Sequence, residues 1–442
     1  MVRMLRIAVL GLWIPLAQAQ EITLRHDLQG PQLGALVNLV VRFNGEQQDP
    51  PPPKTSKLKA LFKAKAPPLN KPKIILQSVS GAADVHLLPD LALLDPDDNQ
   101  RFFGTSPRFL SLAKIMADAK IKFETKLFFP QMAAAVDDLT GKIQALPLAH
   151  ALPVLFFNRD AFIRAGLDPE KPPRTWWEVQ TAAGKLFDAG YKCPLTSSRF
   201  AWVHLDNISS QYGEPVMTKD GKIDRLAQNT LVHVKHIALL TSWQKSFYFH
   251  YFGPEREGDA KFLSGQCSML TGESPLFTTL SKQAGFRFGV AELPYYDDIR
   301  GARPADVLPD GAALWALPGK SKESYAVVAH FVDFLMKPEN QRDWVQATGF
   351  LPMTPVALDA LKAAGAPPGL LDSAKARLSR VPSVAERTKH GAGRSRIRSI
   401  LNEEIQFVWS HKKPAKEALD TAMDRANSTV QLPQSGPKLG KR

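Results

Sequence analysis

The 442-residue sequence has little cysteine and lacks the motifs of the common catalytic sites. Its two cysteines are Cys193 and Cys267, and neither a Cys-x-x-Cys nor a His-x-x-x-His spacing occurs, so the sequence predicts no metal site. It has no Gly-x-Ser-x-Gly elbow and no His-Glu-x-x-His motif. Residues 319–321 end like a phosphate-binding loop, but the nearest earlier glycine, Gly311, is too far away. We therefore expect a protein that is not an enzyme and uses no cofactor.

Long apolar runs are also missing after residue 19, since a membrane-spanning helix needs about eighteen or more consecutive apolar residues. Residues 1–19 are instead typical of a secretory signal peptide. Arg3 and Arg6 precede an apolar run from Ile7 to Leu16, and Ala17–Ala19 has the Ala-x-Ala form of a cleavage site. A buried N-terminal helix is the alternative. Because no cysteine follows the cleavage site, we expect a mature protein free in the periplasm, without a membrane anchor.

The formal net charge is +13, and removal of the leader would lower it by the two arginines at positions 3 and 6. A basic balance can indicate nucleic-acid binding, but an exported protein meets little nucleic acid. We interpret the charge as favouring solubility and anionic solutes, with no nucleic-acid partner. The hydrophobic fraction of 44% is enough for two cores in a chain of this length.

The cysteine pair and two polar segments carry further predictions. In an oxidising compartment, Cys193 and Cys267 are expected to form a disulfide, although two buried thiols are the alternative. Residues 46–73 contain Pro50–Pro53 followed by many lysines, which predicts an extended segment and a short basic surface helix, and the sequence leaves open whether this segment is ordered. The last ten residues, 433–442, are predicted to be a disordered basic tail.

Apolar spacing predicts several elements. Ile22–Leu24 indicates a first strand ending at His26, Pro31 begins an amphipathic helix, and Ile74–Gln77 indicates a second strand. The apolar run bounded by Pro147 and Pro153 is interpreted as one buried strand that carries the chain from one body to another.

Helix signals follow further along the chain. Thr175 and Glu178 form a capping box and Gly190 favours a left-handed stop, which together predict a helix over 176–189. Ser321 is expected to cap a helix that stops at Pro338, where the next helix begins. Ile397, Ile400, Leu401, Ile405 and Val408 predict one apolar face of a long helix that runs to Trp409.

Arg394, Arg396 and Arg398 lie at the start of this long helix, where the helix dipole disfavours cations. Three arginines at this position make physical sense if they hold an anion together with free backbone N–H groups. Arginines with solvated guanidinium groups are the alternative.

Several motifs occur in the same order as in a known family. They include Asn158-Arg159-Asp160-Ala161-Phe162, Ala165 to Pro169, Thr348-Gly349-Phe350-Leu351-Pro352, and Ile397-Arg398 before Glu403-Glu404. With these motifs the sequence resembles the extracytoplasmic solute-binding proteins of ABC importers (extracellular solute-binding protein family 1), in particular those that bind glycerol phosphate. The resemblance is nearly continuous from about residue 142 to 427.

The resemblance implies an α/β fold of the type II periplasmic binding proteins, with two lobes, three crossings and a ligand cleft between the lobes. It places the crossings in the apolar run near residue 150, near 307–313 and near 349–355. The expected division is a signal peptide at 1–19, lobe I at 20–149 and 312–350, lobe II at 150–311 and 351–432, and the tail.

The resemblance also implies the ligand-binding residues. Arg398 matches an arginine that contacts the ligand phosphate, Gly311 matches a glycine beside the ligand, and Phe350 replaces a tyrosine and loses its hydroxyl. Other positions differ more: Ser80 stands where the family has glutamate, Glu273 where it has serine, and Arg199, with Trp202 close by, where it has a stacking tryptophan. The implied set is Arg398, Gly311, Phe350, Glu273, Ser80, Arg199 and Trp202.

The implied function is that of a monomeric solute-binding component that presents sn-glycerol 3-phosphate or a glycerophosphodiester to an inner-membrane ABC permease. Glu273 beside Arg199 would favour a zwitterion such as glycerophosphocholine, or the two side chains would pair with each other. One alternative is a sugar or oligosaccharide ligand stacked on aromatic rings, the candidates being Trp176, Trp177, Phe200 and Trp202. Others are a phosphodiesterase and a protein that kept the fold without a transport ligand.

Overall fold

The computed structural model describes residues 21–46, 73–78, 89–94, 109–137, 141–214, 216–220, 223–364, 374–381 and 394–430. The predictions for the signal peptide, for most of the segment 46–73, for Ser80 and for the tail 433–442 concern residues outside these ranges.

Strands of the described residues form two five-stranded sheets and one hairpin. The orders are β2-β1-β3-β12-β4, β11-β5-β10-β6-β9 and β7-β8. The strands are β1 (Glu21–His26), β2 (Lys73–Ser78), β3 (Leu91–Leu94), β4 (Leu146–Ala151), β5 (Pro153–Asn158), β6 (Leu195–Ser197), β7 (Met217–Asp220), β8 (Ile223–Leu226), β9 (Phe249–His250), β10 (Met269–Glu273), β11 (Phe288–Glu292) and β12 (Asp310–Ala316).

Helices surround both sheets. They are α1 (Gly30–Glu46), α2 (Leu112–Asp118), α3 (Pro130–Ala134), α4 (Arg159–Arg164), α5 (Trp176–Asp188), α6 (Asn207–Gln211), α7 (Leu231–Lys245), α8 (Glu257–Leu263), α9 (Leu276–Gln283), α10 (Lys322–Met336), α11 (Pro338–Thr348), α12 (Pro355–Ala363), α13 (Arg394–Trp409) and α14 (Ala415–Val430), with a 3₁₀ turn at Thr125–Leu127 and a π-helical turn at Trp202–Asp206.

The first lobe is built on the sheet that contains β1. Strands β2 and β3 pair with β1 in parallel, whereas β12 pairs antiparallel with both β3 and β4. Helix α1 begins at Gly30, one residue before the predicted Pro31, and its apolar face is buried. The Phe43 ring on that face lies 5.0 Å from the Phe331 ring of α10, so the apolar spacing of both helices forms the core of this lobe.

The second lobe is built on the sheet that contains β5. The predicted capping box is present, because the Thr175 side chain accepts a hydrogen bond from the Glu178 backbone N–H and the Glu178 carboxylate accepts one from the Thr175 backbone N–H. Gly190 has a φ of 92°, as the left-handed stop requires. A disulfide joins Cys193 and Cys267, which lie just before β6 and β10, so the predicted bridge is confirmed.

The first crossing differs from the prediction of one buried strand. Residues 146–158 form two strands, β4 in the first sheet and β5 in the second, with Leu152 alone between them. The Leu152 backbone exchanges hydrogen bonds with Ser274, since its N–H donates to Oγ at 3.2 Å and its C=O accepts from the Ser274 N–H at 2.9 Å. One residue therefore carries the chain from one lobe to the other.

The third crossing lies later in the chain than the position near 349–355 that the sequence predicts. Residues 351–363 were assigned to lobe II, but α12 packs against α11, and Thr354 donates a hydrogen bond to the Gln341 side chain at 3.1 Å. The Phe129 N–H also donates to the Met353 carbonyl of this segment at 3.0 Å. These contacts keep the chain with the first lobe as far as Ala363. The return to the second lobe is complete by Arg377, which pairs with Glu292.

Candidate ligand-binding site

Arg398 lies at the junction of the lobes and is almost completely buried, with 2% of its surface exposed. Its Nε and Nη2 donate to Oδ2 of Asp206 at 3.1 and 2.7 Å, and its Nη1 lies 2.5 Å from Oδ2 of Asp310. The first carboxylate belongs to the π-helical turn of the second lobe, and the second to the first residue of β12. The guanidinium group therefore connects α13 to both lobes.

Arg199 is the second buried arginine of this junction. Its backbone has a φ of 49°, unusual for a residue with a side chain, and its N–H donates to the Glu255 carbonyl at 2.6 Å. Its Nη1 donates to Oε1 of Glu273 at 2.9 Å, and its Nη2 donates to Oδ2 of Asp310 at 3.2 Å. Because Glu273 and Arg199 pair with each other, the structure shows the second of the two arrangements that the sequence left open.

Opposite charges balance at this position. Arg256, whose side chain is 52% exposed, donates from Nε to Oε2 of Glu273 at 2.9 Å, and the Gln228 amide donates to Oδ1 of Asp206 at 2.7 Å. Buried ions require such compensation, because an unpaired charge in a protein interior is strongly destabilising. We call the following six side chains the charge cluster: Arg199, Arg256, Arg398, Asp206, Glu273 and Asp310.

Gly311 follows Asp310 in β12 and has a φ of 143°. A Cβ atom added at this position would lie 2.1 Å from the Ala149 carbonyl oxygen of β4. The close approach of the two strands therefore accounts for a glycine at this position. The same pairing sets Asp310 opposite Ala151, at the end of β4 where the chain leaves the first lobe.

The other predicted residues lie around the charge cluster or outside the described chain. The Trp202 ring lies 5.5 Å from the Arg199 guanidinium, and its Nε1 donates to the Leu308 carbonyl at 3.1 Å. Phe350 stacks on Trp344 of the first lobe, with 5.8 Å between the ring centroids. Ser80 is outside the described residues, and so are the side chains of Arg394 and Arg396.

The aromatic residues considered for sugar stacking are largely enclosed. Trp176, Phe200 and Trp202 are each at most 1% exposed. The Trp177 ring is partly buried and lies 5.1 Å from the Lys235 ammonium group. Three of the four rings, those of Trp176, Phe200 and Trp202, are therefore part of the core of the second lobe.

A second polar group lies inside the second lobe. Nδ1 of His204 is 2.8 Å from Nε2 of His236, and Nδ1 of His236 is 2.7 Å from the Tyr296 hydroxyl. On its other side, Nε2 of His204 is 2.8 Å from the Ser197 hydroxyl and 3.0 Å from the Thr271 hydroxyl. We call these five residues the histidine network.

Burial controls the protonation of the histidine network. It lowers the pKa of His204 to about 3. Burial, with smaller contributions from His204 and His233, lowers the pKa of His236 well below its usual value. Because imidazolium is disfavoured at both positions, the network is uncharged at neutral pH.

The sequence-based reasoning missed three members of the charge cluster, Asp206, Asp310 and Arg256. Asp310 could have been noticed, since it immediately precedes Gly311 at the predicted second crossing. Asp206 gives no such signal, because its partner Arg398 is 192 residues away. Over the described residues, no group of three or more His, Cys, Asp or Glu residues could hold a metal ion.

The profile of the bacterial extracellular solute-binding proteins matches residues 46–368. The chain belongs to this family. Among its relatives, the sn-glycerol-3-phosphate-binding periplasmic protein UgpB of Salmonella typhimurium is 38% identical over 325 residues, which cover 72% of this chain and 74% of the relative. UgpB of Pectobacterium atrosepticum is 33% identical over 426 residues, which cover 93% and 91%.

Solved structures share the fold of this solute-binding protein. UgpB from Mycobacterium tuberculosis in complex with glycerophosphocholine has a TM-score of 0.67 at 18% identity and covers 93% of this chain and 98% of its own. Maltose-bound MalE3 of T. maritima has a TM-score of 0.70 at 16% identity, with coverages of 93% and 100%. The predicted family and the two-lobed α/β fold are therefore confirmed.

The solute-binding protein is periplasmic, as are the UgpB relatives. In the part of the chain that the structure describes, every helix is too short or too polar to cross a membrane. The relatives are named as binding proteins, as is the family.

Proposed function

We propose that this solute-binding protein captures sn-glycerol 3-phosphate or a glycerophosphodiester between its lobes and delivers it to an inner-membrane ABC permease. The observation that supports this proposal most is the position of Arg398, which lies buried at the junction of the lobes beside the second buried arginine, Arg199. Guanidinium groups recognise phosphate oxygens by paired hydrogen bonds. The names of the curated relatives point to the same class of ligand.

Delivery needs no covalent step. The two arginines belong to the second lobe, whereas Asp310 begins a strand of the first. A ligand that contacts both sides stabilises the conformation in which both sides are within reach, so binding favours closure. We also propose that the protein acts as a monomer and has no catalytic activity.

Both ligands are compatible with the arginines but place different demands on the carboxylates. A glycerophosphodiester with a cationic head group carries its own positive charge, which Glu273 or Asp206 would attract. A phosphate monoester offers no such group. The two classes therefore need to be compared in one experiment.

The experiment is isothermal calorimetry on mature protein that has been unfolded and refolded to remove bound solute. We expect micromolar or tighter binding of sn-glycerol 3-phosphate or glycerophosphocholine, and weaker binding of inorganic phosphate and maltose. Binding of maltose alone would favour a sugar-binding protein. Absence of binding for all four would favour a protein that kept the fold and lost the ligand.

A pair of variants tests the role of Arg398. Arg398→Lys keeps the positive charge beside Asp206 and Asp310 but loses the planar guanidinium, so it is expected to fold and to bind the ligand at least about tenfold more weakly. Arg287→Lys is the matched control, because Arg287 pairs with Asp160 on the exposed surface of the same lobe. Equal affinities in the two variants would contradict the assignment of Arg398.

A further inference from the structure

The carboxylate of Asp310 contacts both buried arginines of the charge cluster through one oxygen atom. Oδ2 lies 2.5 Å from Nη1 of Arg398 and 3.2 Å from Nη2 of Arg199. The residue is 2% exposed. This carboxylate oxygen therefore lies between two guanidinium groups, where an oxygen of a bound phosphate would also be expected.

Each arginine also has a carboxylate of its own. Asp206 pairs with Arg398 from the π-helical turn, and Glu273 pairs with Arg199 from β10. The two buried arginines therefore face three buried carboxylates, and within the charge cluster the half-exposed Arg256 restores the balance. Asp310 is the carboxylate that the two arginines do not require, because Arg398 keeps its ion pair with Asp206 and Arg199 keeps its ion pair with Glu273.

The backbone holds Asp310 in place. It pairs with Ala151 at the start of β12, and the following Gly311 brings β12 close to the Ala149 carbonyl. Asp310 thus belongs to the first lobe, whereas both arginines belong to the second. A ligand anion that enters between the lobes must compete with this carboxylate for the same N–H groups.

We propose that Asp310 is an internal counter-anion that determines the class of ligand. Its carboxylate takes up N–H groups of both arginines and so disfavours the binding of phosphate monoesters. Their double negative charge would be added beside the three negative charges of the carboxylates. Phosphodiesters that carry their own cation are disfavoured less, because the added net charge is zero. The identity of the ligand rests on the proposed function, but the competition for the arginines can be measured with inorganic phosphate alone.

The test compares wild type, Asp310→Asn and Asp306→Asn by calorimetry with inorganic phosphate, sn-glycerol 3-phosphate and glycerophosphocholine. Asn keeps the size of the side chain and removes the charge. We expect D310N to bind phosphate and sn-glycerol 3-phosphate at least about tenfold more tightly than wild type, with a smaller change for glycerophosphocholine. Asp306, which pairs with Arg303 and Arg380, is the matched control and should leave all affinities unchanged.

Folded D310N with unchanged phosphate affinity would overturn the proposal. If D310N gains phosphate affinity while no glycerol compound binds to either protein, the role of Asp310 as a counter-anion is supported and the proposed ligand is wrong. Thermal unfolding with and without phosphate provides a second readout, in which phosphate should raise the midpoint of D310N more than that of wild type. If D310N does not fold, Asp310→Ser replaces it; failure of both to fold would contradict the view that Asp206 and Glu273 suffice for the arginines.

Discussion

The charge cluster and the histidine network are both buried polar groups, yet they differ in charge and in place. The charge cluster is made of full charges that cancel and spans the junction of the two lobes. The histidine network is uncharged and lies within the second lobe. Because movement of the lobes changes distances only across the junction, the charge cluster can respond to a ligand, whereas the network stabilises one lobe.

The short segment 197–206 supplies side chains to both the charge cluster and the histidine network. Ser197 and His204 belong to the histidine network, and Arg199 and Asp206 belong to the charge cluster. Strand β10 is shared in the same way, since Thr271 contacts His204 and Glu273 contacts Arg199. Two neighbouring stretches of backbone therefore hold a charged group and an uncharged group next to each other.

The largest effect is expected from Arg398→Ala. The variant leaves Asp206 and Asp310 buried with one cation fewer, which should lower the free energy of unfolding by about 3–5 kcal/mol and abolish anion binding. Removing this side chain would thus affect folding as well as binding, because the guanidinium is buried and paired. Urea denaturation measures the first effect and calorimetry the second. Arg287→Ala is the surface control, and equal stability of the two variants would contradict the importance of the pairing.

Removal of the disulfide should have the next largest effect. The bridge closes a loop with a sequence separation of 74 residues between the starts of β6 and β10, and these strands hold residues of both polar groups. Replacing Cys193 and Cys267 with alanine should cost about 2–4 kcal/mol, mainly by restoring entropy to the unfolded chain. The measurement is urea denaturation of the variant against oxidised wild type. A change below about 1 kcal/mol would show that the second lobe does not depend on the bridge.

The pH dependence distinguishes the histidine network from the charge cluster. The pKa of His204 is lowered to about 3 in the folded state, so below pH 6.5 the unfolded state binds a proton that the folded state does not. Stability should therefore fall as the pH falls from 6.5 towards 3, by roughly 2–3 kcal/mol between pH 6.5 and 4.5 for this residue. Urea denaturation at several pH values measures the slope.

The matched variants for this slope are His204→Gln and His330→Gln. The first removes the buried titrating group and keeps a side chain that can form hydrogen bonds, so the loss of stability in acid should be smaller. His330 is exposed, and its replacement is the surface control for the substitution itself. An unchanged slope in H204Q would mean that the histidine network does not control the acid sensitivity.

The smallest effect is expected from Thr175→Ala. The variant removes the acceptor of the capping box of α5, which should cost about 1 kcal/mol. Trp176, the first residue of α5, packs on the rings of His204 and His236, so the change acts on the side of the histidine network. Thermal unfolding should show a lower midpoint, while calorimetry should show unchanged ligand affinity. A loss of affinity would show that the two polar groups are coupled.

Local signals allowed much of the fold to be predicted from the sequence. The capping box of α5, the Ser321 cap of α10 and the proline that begins α11 each depend on residues a few positions apart. Assignment of elements to lobes was less successful for a physical reason. Apolar periodicity shows that β4, β5 and α12 are buried, but not against which sheet or helix, because that depends on distant partners.

The same reason limited prediction of the candidate site. Arg398 was found through the family resemblance, and the bridge between Cys193 and Cys267 was expected because an oxidising compartment favours disulfides. Asp206 and Asp310, which also neutralise the arginines, were not found, since Asp206 is 192 residues from Arg398 and Asp310 is 111 residues from Arg199. The pairing of Arg199 with Glu273 was one of two arrangements open to the sequence, and only the fold distinguishes them.

The π-helical turn at Trp202–Asp206 makes the two polar groups sensitive to the length of one segment. A π-helical turn contains one residue more than the α-helical turn that would replace it. Deleting a single codon here would convert it to an α-helical turn and leave the helical residues on either side in register, because the wider turn is what accommodates the extra residue. The turn itself contains His204 and Asp206, so the loss of one residue would change how these side chains are presented to Ser197 and Arg398. A change of one codon thus affects the cleft and the interior of the second lobe together.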